Sequence, residues 1–237
     1  MSDSESEDQI LNIPQHIAYI VDGNRRWAKR HGLPAYEGHM AGYNAIQDVA
    51  QATFDAGVPY MSAYIFSTEN WKRSEEEVGK LMGLVLKLFT SDLHIFHDNN
   101  IRLCVLGSRD GVDPKILKEI DNAERITKDN TRGTLGLCFN YGGQLEIADA
   151  VKKAAEAGED MTDMTPEVLE KYLYAPELPA VDLIVRSGGD NRISNFMLWR
   201  AAYSELLFLE NAWPDMTKED VSGILEEYNK RSRRFGK

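Results

Sequence analysis

A chain of 237 residues that is 43% hydrophobic and 27% charged has the composition of a soluble globular protein, with material for one large α/β domain or two small ones. Its net charge of -11 argues against nucleic-acid binding, which needs a basic face or stripe; local Arg clusters in an acidic chain point instead to one particular anionic ligand. No apolar run approaches the ~18 residues that span a bilayer, and the acidic start MSDSESED is unlike a signal peptide, so the sequence reads as cytoplasmic with a disordered acidic tail over residues 1–12.

The stretch His16 to Trp27, HIAYIVDGNRRW, is a strand cut off at Asp22-Gly23-Asn24 and followed by Arg25 and Arg26. Ligands bind at strand carboxyl ends in open α/β sheets, where Gly23 permits a sharp turn and Asn24, Arg25 and Arg26 offer donors to an anion. Asp22 is either the ion-pair partner of these cations or a ligand for a hard cation such as Mg²⁺. A short helix over 27–32 and a loop over 33–38 lead to a helix over 39–56 that stops at Gly57. The second strand, 60–66, ends in Ser67-Thr68-Glu69-Asn70-Trp71-Lys72-Arg73, which completes a βαβ unit with two polar strand ends.

Ser74 to Glu77 has capping-box form and starts a helix predicted to run to about residue 98. Its apolar residues cover an arc of roughly 200°, against the ~100° needed to pack on one core. The excess faces either a second protein surface or a channel for a hydrophobic ligand. A strand over 101–106, a helix over 113–128 and a strand over 134–140 follow, the last ending in Asn140-Tyr141-Gly142-Gly143-Gln144. The two glycines make a plain turn or present backbone N–H groups to an anion. With helices over 145–157 and 165–174, the alternation predicts one mainly parallel sheet covered on both faces.

The stretch Val181 to Trp199 is another apolar strand with a polar end, here Arg186, Ser187, two glycines, Asp190, Arg192 and Ser194. Two Arg forks six residues apart across a Gly-Gly turn can converge on one phosphate. The strand over 203–209 carries Glu205 near its start, either paired or completing a metal site. A last helix from Thr217 ends in Lys230, Arg231, Arg233 and Arg234, which complement its dipole or form a basic tail that closes over an anion. Cys104 and Cys138 match no metal-ligand spacing and read as buried thiols, a disulfide being the alternative.

In order, DGNRRWA (22–28), GHMAG (38–42), FSTENWKR (66–73), NYGG (140–143), VRSGGDNRISNFMLW (185–199), YSELLF (203–208) and RRFG (233–236) resemble the cis-prenyltransferases, the undecaprenyl diphosphate synthase family, from His16 to Gly236. The resemblance implies one catalytic domain over 13–237, a homodimer, and an α/β fold with a central, mainly parallel sheet of about six strands, flanking helices and a hydrophobic tunnel. It also implies condensation of isopentenyl diphosphate onto an allylic diphosphate, such as farnesyl or geranylgeranyl diphosphate, with a new cis double bond and a polyprenyl product of the undecaprenyl type. By motif, Asp22 holds Mg²⁺, and Asp22, Asn24 and Asn70 form the catalytic set. Gly23, Asn24, Arg25, Arg26, Trp27 and His39 serve the allylic diphosphate; Arg186, Arg192 and Ser194 serve isopentenyl diphosphate, with Glu205 as a second metal carboxylate. Ser67, Glu69, Trp71 and Arg73 lie between the two, Arg234 and Gly236 reach the partner subunit's site, and product release needs transient membrane contact.

A catalytically dead partner subunit is the first rival reading, and the intact Asp22-Gly23-Asn24 speaks against it. The second is a phosphatase-like enzyme that releases inorganic phosphate and needs no prenyl acceptor. Two departures from the family pattern bear on substrate use. Ala35 stands where many members carry an Arg on the allylic diphosphate, with Arg25 or Arg30 as candidate replacements. Ile65 stands near the tunnel mouth where a small Ala is common. Replacing it, Ile65→Ala, is expected to lengthen the product; chain lengths equal to wild type on product sizing would refute the role.

Overall fold

The computed structural model describes residues 12–231. Its elements are β1 (His16–Ile20), α1 (Asn24–Arg30), α2 (Ala35–Asp55), β2 (Tyr60–Ser67), α3 (Glu75–Phe89), α4 (Leu93–Asp98), β3 (Ile101–Leu106) and α5 (Pro114–Thr127), then β4 (Gly133–Tyr141), α6 (Gly143–Glu156), α7 (Pro166–Glu170), β5 (Leu183–Arg186), β6 (Glu205–Phe208) and α8 (Lys218–Lys230). Short 3-10 turns at Thr68–Lys72 and Trp213–Asp215 complete the set.

All six strands pair in parallel, in the order β3-β4-β2-β1-β5-β6. The strand-helix alternation produces this because each parallel pair needs a crossover, and the crossovers cover both faces. Accordingly β1 and β5 are buried at every position, as a strand covered twice must be. One core lies between the sheet and α2, α3, α5 and α8; a second, with Tyr64, Tyr141, Phe196 and Met197, fills the opposite face. From β1 the chain proceeds outward to β2, and from β5 it proceeds outward to β6 on the other side. β1 and β5 are therefore the neighbours at which the winding direction reverses, where an α/β sheet opens a crevice.

Several predicted elements change in extent, beginning with the short helix expected over 27–32, which starts at Asn24 directly after the Gly23 turn and ends at Arg30. The expected loop over 33–38 is helix from Ala35, because Pro34 stands at the cap with extended ψ and Glu37 complements the first turn. Gly38, which reads as a loop residue, lies inside this helix: a Cβ there would come within 2.1 Å of the Asn24 carbonyl oxygen. The helix expected from 74 to 98 is two, because Thr90 Oγ1 donates to the Leu86 carbonyl at 2.7 Å and Tyr43 donates to Asp92 Oδ2 at 2.7 Å. The helix expected over 165–174 stops at Glu170. Cys104 and Cys138 are buried free thiols, and burial pushes Cys104 up to about 12. No helix among the described residues is long and apolar enough to cross a membrane.

β2 and β4 carry compensating irregularities at their carboxyl ends. The register runs Tyr64↔Cys138, Phe66↔Phe139, Ser67↔Tyr141, so Ile65 is extra on one strand and Asn140, at φ 47°, on the other. The bulge breaks the alternation of side chains. Ile65 and Phe66 consequently both pack toward the core that contains α2 and α3.

At the amino end of β1, His16 is fully buried; its Nδ1 donates to the Pro179 carbonyl at 3.0 Å and its Nε2 meets Ser62 Oγ at 2.8 Å. Burial holds its pKa down at about 4, whereas the unfolded chain takes up the proton near 6.5. The resulting stability is complete above pH 6.5 and is lost as pH falls toward 4, by about 3 kcal/mol. Urea unfolding at pH 7 and pH 4.5 should show a shallower acid loss in His16→Gln than in wild type; equal losses would count against this assignment.

Candidate active site

The carboxyl end of β1 meets that of β5 at the rung Ile20↔Arg186. Two residues on, the Asp22 N–H donates to Ser187 Oγ at 3.1 Å, and Trp213 N–H donates to the Asp22 carbonyl at 2.9 Å. Gly23 then turns the chain at φ 99°, where a Cβ would sit 2.9 Å from Ala212. That turn aims the first residues of α1 back over the sheet.

Asp22 Oδ2 accepts from Arg186 Nη2 at 2.8 Å and lies 3.4 Å from Arg26 Nη2. Arg26 reaches Asp190 at 3.2 Å and Arg192 reaches it at 2.9 Å. Three guanidiniums thus share two carboxylates, which leaves an excess of positive charge. Burial pushes the Asp190 carboxyl up, but the Arg192 bond and the charges of Arg192, Arg26 and Arg186 together hold its pKa below the carboxylate norm. Arg186 is buried; its Nη1 donates to the Arg192 carbonyl at 2.5 Å and to Ser194 Oγ at 2.7 Å, while its Nε has no partner. A buried, unsatisfied donor on a cation is a place for an anionic oxygen.

Asp22 separates two clefts. One, of about 820 Å³, is walled by Gly23 to Arg26, Lys29, His39, Arg73 and Arg192; the other, of about 500 Å³, by Tyr64, Ser67, Asn70, Arg186 and Ser194. Val21 and Asp22 line both. From the first cleft, past Asn24 and His39, an apolar crevice of about 60 Å³ enters the core between Ile46, Ile65, Leu84 and Leu88. Asn24 Oδ1 is buried at this junction without a partner, and Gly42 lies so close that a Cβ there would be 2.5 Å from it.

For a cation, the structure offers one carboxylate at the junction, and no group of three His, Cys, Asp or Glu side chains gathers among the described residues. That donor set fits Mg²⁺, which takes one or two carboxylates and completes its shell with phosphate oxygens and water. Glu205 is not brought to this point within the chain. It starts β6 level with Leu183, three residues before the Arg186↔Phe208 rung, or about 10 Å away along the strand, and it pairs with Arg231 at 3.3 Å.

The chain matches the prenyltransferase family model described as undecaprenyl diphosphate synthase over residues 20–236. It belongs to the cis-prenyltransferases. An isoprenyl transferase of Thermotoga maritima is 43% identical over 229 residues, covering 95% of this chain and 98% of the relative. A trans,polycis-polyprenyl diphosphate synthase of Thermobifida fusca, (2Z,6E)-farnesyl diphosphate specific, is 44% identical over 94% of this chain and 81% of its own. Among solved structures, lavandulyl diphosphate synthase from Lavandula x intermedia with dimethylallyl diphosphate superposes with TM-score 0.90 at 28% identity, covering 95% and 99% of the two chains. A probable undecaprenyl diphosphate synthase from Campylobacter jejuni gives TM-score 0.81 at 30% identity, covering 95% and 100%.

Most motif residues of this cis-prenyltransferase converge on the two clefts, with informative exceptions. Trp27 turns away and donates from Nε1 to Asp215 at 2.5 Å, and Arg30 pairs with the same carboxylate at 3.3 Å and does not line the larger cleft. Arg25 and Lys29 line that cleft together with Ala35. Lys29 escaped the sequence reading, although its i, i+4 spacing from Arg25 on a helix was a signal for it. Trp71 donates to Asn140 Oδ1 at 2.8 Å, and Asn70 Oδ1 accepts the Ser67 N–H at 3.1 Å. Glu69 meets Asn195 at 3.5 Å, and local hydrogen bonds outweigh partial burial to lower its pKa. Of the NYGG glycines, Gly143 has its N–H taken by the Asn195 carbonyl at 2.7 Å, and the following Gln144 N–H goes to Asn195 Oδ1 at 2.9 Å. Arg234 and Gly236 lie outside the described residues.

Glu77 was legible only as a capping residue, and its carboxylate does something else. A single oxygen, Oε1, receives Arg73 at 2.9 Å, His39 Nε2 at 3.2 Å and Arg25 at 3.8 Å. Burial raises its pKa somewhat, but the His39 bond and the two Arg charges win and hold the carboxyl low; burial, with the same Arg charges, keeps His39 below its usual value. The protein's own carboxylate therefore occupies cations that line the larger cleft. Removing it, as Glu77→Gln, should tighten inorganic pyrophosphate binding about two- to fivefold by titration calorimetry. Weaker binding would mean that Glu77 organises the cations instead of competing for them.

Proposed function

We propose that this cis-prenyltransferase joins isopentenyl diphosphate to an allylic diphosphate, farnesyl or geranylgeranyl diphosphate, and extends it to a polyprenyl diphosphate of the undecaprenyl type. The observation that carries the reading is Asp22 as the common wall of two clefts, the larger lined by several cations and the smaller by Arg186, with the larger opening into an apolar crevice. Two diphosphates and one hydrocarbon tail need that arrangement. A hydrolase of one phosphate ester needs neither the second cleft nor the crevice.

In this reading the allylic diphosphate lies in the larger cleft against Gly23, Arg25, Arg26, His39 and Arg73, with its tail toward Ile65. Its C–O bond breaks, the electron pair leaves with the diphosphate, and these donors stabilise the charge that accumulates there. Isopentenyl diphosphate lies in the smaller cleft, its phosphates on Arg186 and Ser194, with Arg192 reaching toward them from the adjoining larger cleft. Its double bond attacks the allylic carbon, and loss of a proton from the neighbouring carbon leaves the new double bond. Asn70 and Ser67 line the path between the two, and Asn24 sits where diphosphate cleft and tail crevice join. Mg²⁺ on Asp22 would supply Lewis-acid stabilisation of the phosphate oxygens when bound.

The functional unit is proposed to be a homodimer. The edge strand β6 exposes Leu206, and Tyr203 just before it is 79% accessible, so this border offers apolar surface to a second copy whose Arg234 and Gly236 would approach the site. Product leaves by transient membrane contact, since its tail is apolar.

Incubation with Mg²⁺, farnesyl diphosphate and labelled isopentenyl diphosphate should yield a ladder of cis-polyprenyl diphosphates. Asp22→Ala should lower the rate by about 10²-fold or more, and chelator should abolish it. Release of inorganic phosphate without label incorporation would favour hydrolysis.

A further inference from the structure

The loop from Asp190 to Arg200 presents Ser194 to Arg186 in a conformation that ordinary residues avoid. Ser194, Asn195 and Met197 have φ of 50°, 63° and 44°, and none is glycine. Such strain persists only where the surroundings over-determine it. Two anchors are visible. The first is Asn195, whose carbonyl and side-chain oxygens take the Gly143 and Gln144 N–H groups at the start of α6. Close approach there needs glycines, since a Cβ on Gly143 would meet Leu198 at 2.7 Å.

The second anchor is an ion pair outside both substrate clefts. Arg200 Nη1 donates to Glu146 Oε1 at 2.7 Å, with side chains only 4% and 1% accessible. Arg200 Nη2 donates to the carbonyls of Tyr174 and Ala175 at 2.6 and 3.0 Å. Glu146 Oε2 accepts from Tyr141 at 2.5 Å and Oε1 from the Tyr174 N–H at 3.2 Å. The pair therefore ties α6, the end of β4 and the 174–178 segment to the residue that closes the substrate loop. A buried ion pair is a poor source of stability, because an apolar pair of the same shape does as well or better. Its geometric demands, by contrast, define position.

We infer that Glu146 and Arg200 are positioning residues for the homoallylic substrate: they hold the strained loop in the one register that keeps Ser194 on Arg186. The inference rests on the placement of isopentenyl diphosphate proposed above. It predicts an effect that falls mainly on one substrate, since none of Glu146, Arg200, Tyr141 and Tyr174 lines the larger cleft, which the loop reaches only through Asp190 and Arg192.

The test is the double variant Glu146→Leu with Arg200→Met, which removes both charges together, assayed beside wild type with farnesyl and isopentenyl diphosphates. Expected is a rise of about tenfold or more in KM for isopentenyl diphosphate, with a markedly smaller change in KM for farnesyl diphosphate. Wild-type values for both KM in the folded variant would overturn the inference, as would equal rises in both. Should the double variant not fold, Arg200→Lys retains the charge opposite Glu146 but not the fork on the two carbonyls; it too must raise KM for isopentenyl diphosphate selectively, or the inference fails. Absence of incorporation by wild type would instead defeat the proposed reaction.

Discussion

Everything at the carboxyl edge depends on the contact between Asp22 and Arg186. Arg186 ends β5 with a side chain only 4% accessible, and a cation so removed from water must be paired or it destabilises the fold. Its partner comes from the neighbouring strand, at the point where the winding of the sheet reverses. The pair therefore closes the crevice floor, and the same Asp22 forms the wall shared by both clefts.

Around that contact, close approach of backbones matters more than the reach of side chains. Gly38 and Gly42 let α2 press on Asn24, Gly23 lets α1 start under Ala212, and Gly143 admits the 194–198 loop. At each of these four positions a methyl group would overlap a neighbour by enough to move an element. The motifs in which these glycines occur look like ligand loops. Their physical role is to bring α1, α2, α6 and the substrate loop within contact of one another, so that the Arg and Asn side chains they carry face a common space.

The apolar crevice has a different origin. Paired bulges at Ile65 and Asn140 turn Ile65 and Phe66 to the same side of β2, where α2 and α3 leave room for about 60 Å³. The space is small for a polyprenyl tail. The N-terminal turn of α3 is tied down by Glu77 on Arg25, Arg73 and His39, all at the mouth of the larger cleft. The start of α3 is thus coupled through Glu77 to the cations that line the larger cleft.

The alternation of apolar strands and amphipathic helices, the polar strand ends at Asp22, Ser67 and Arg186, and the clustering of Arg near Gly were legible in the chain itself, because periodicity, turn chemistry and charge are local properties. They were enough to predict a single parallel α/β sheet and an anion site at its carboxyl edge, and the ordered motifs were enough for the family. Tertiary structure alone decided the rest. It turned Trp27 and Arg30 toward Asp215, kept Glu205 at the far end of β6, and used NYGG to hold Asn195. It put Lys29 in the larger cleft and Glu77 on the cations that line it, and it buried Glu146 against Arg200. Each of these depends on which residue distant in sequence arrives within a few ångströms, and that is set by the packing of whole elements, which no short window of sequence contains.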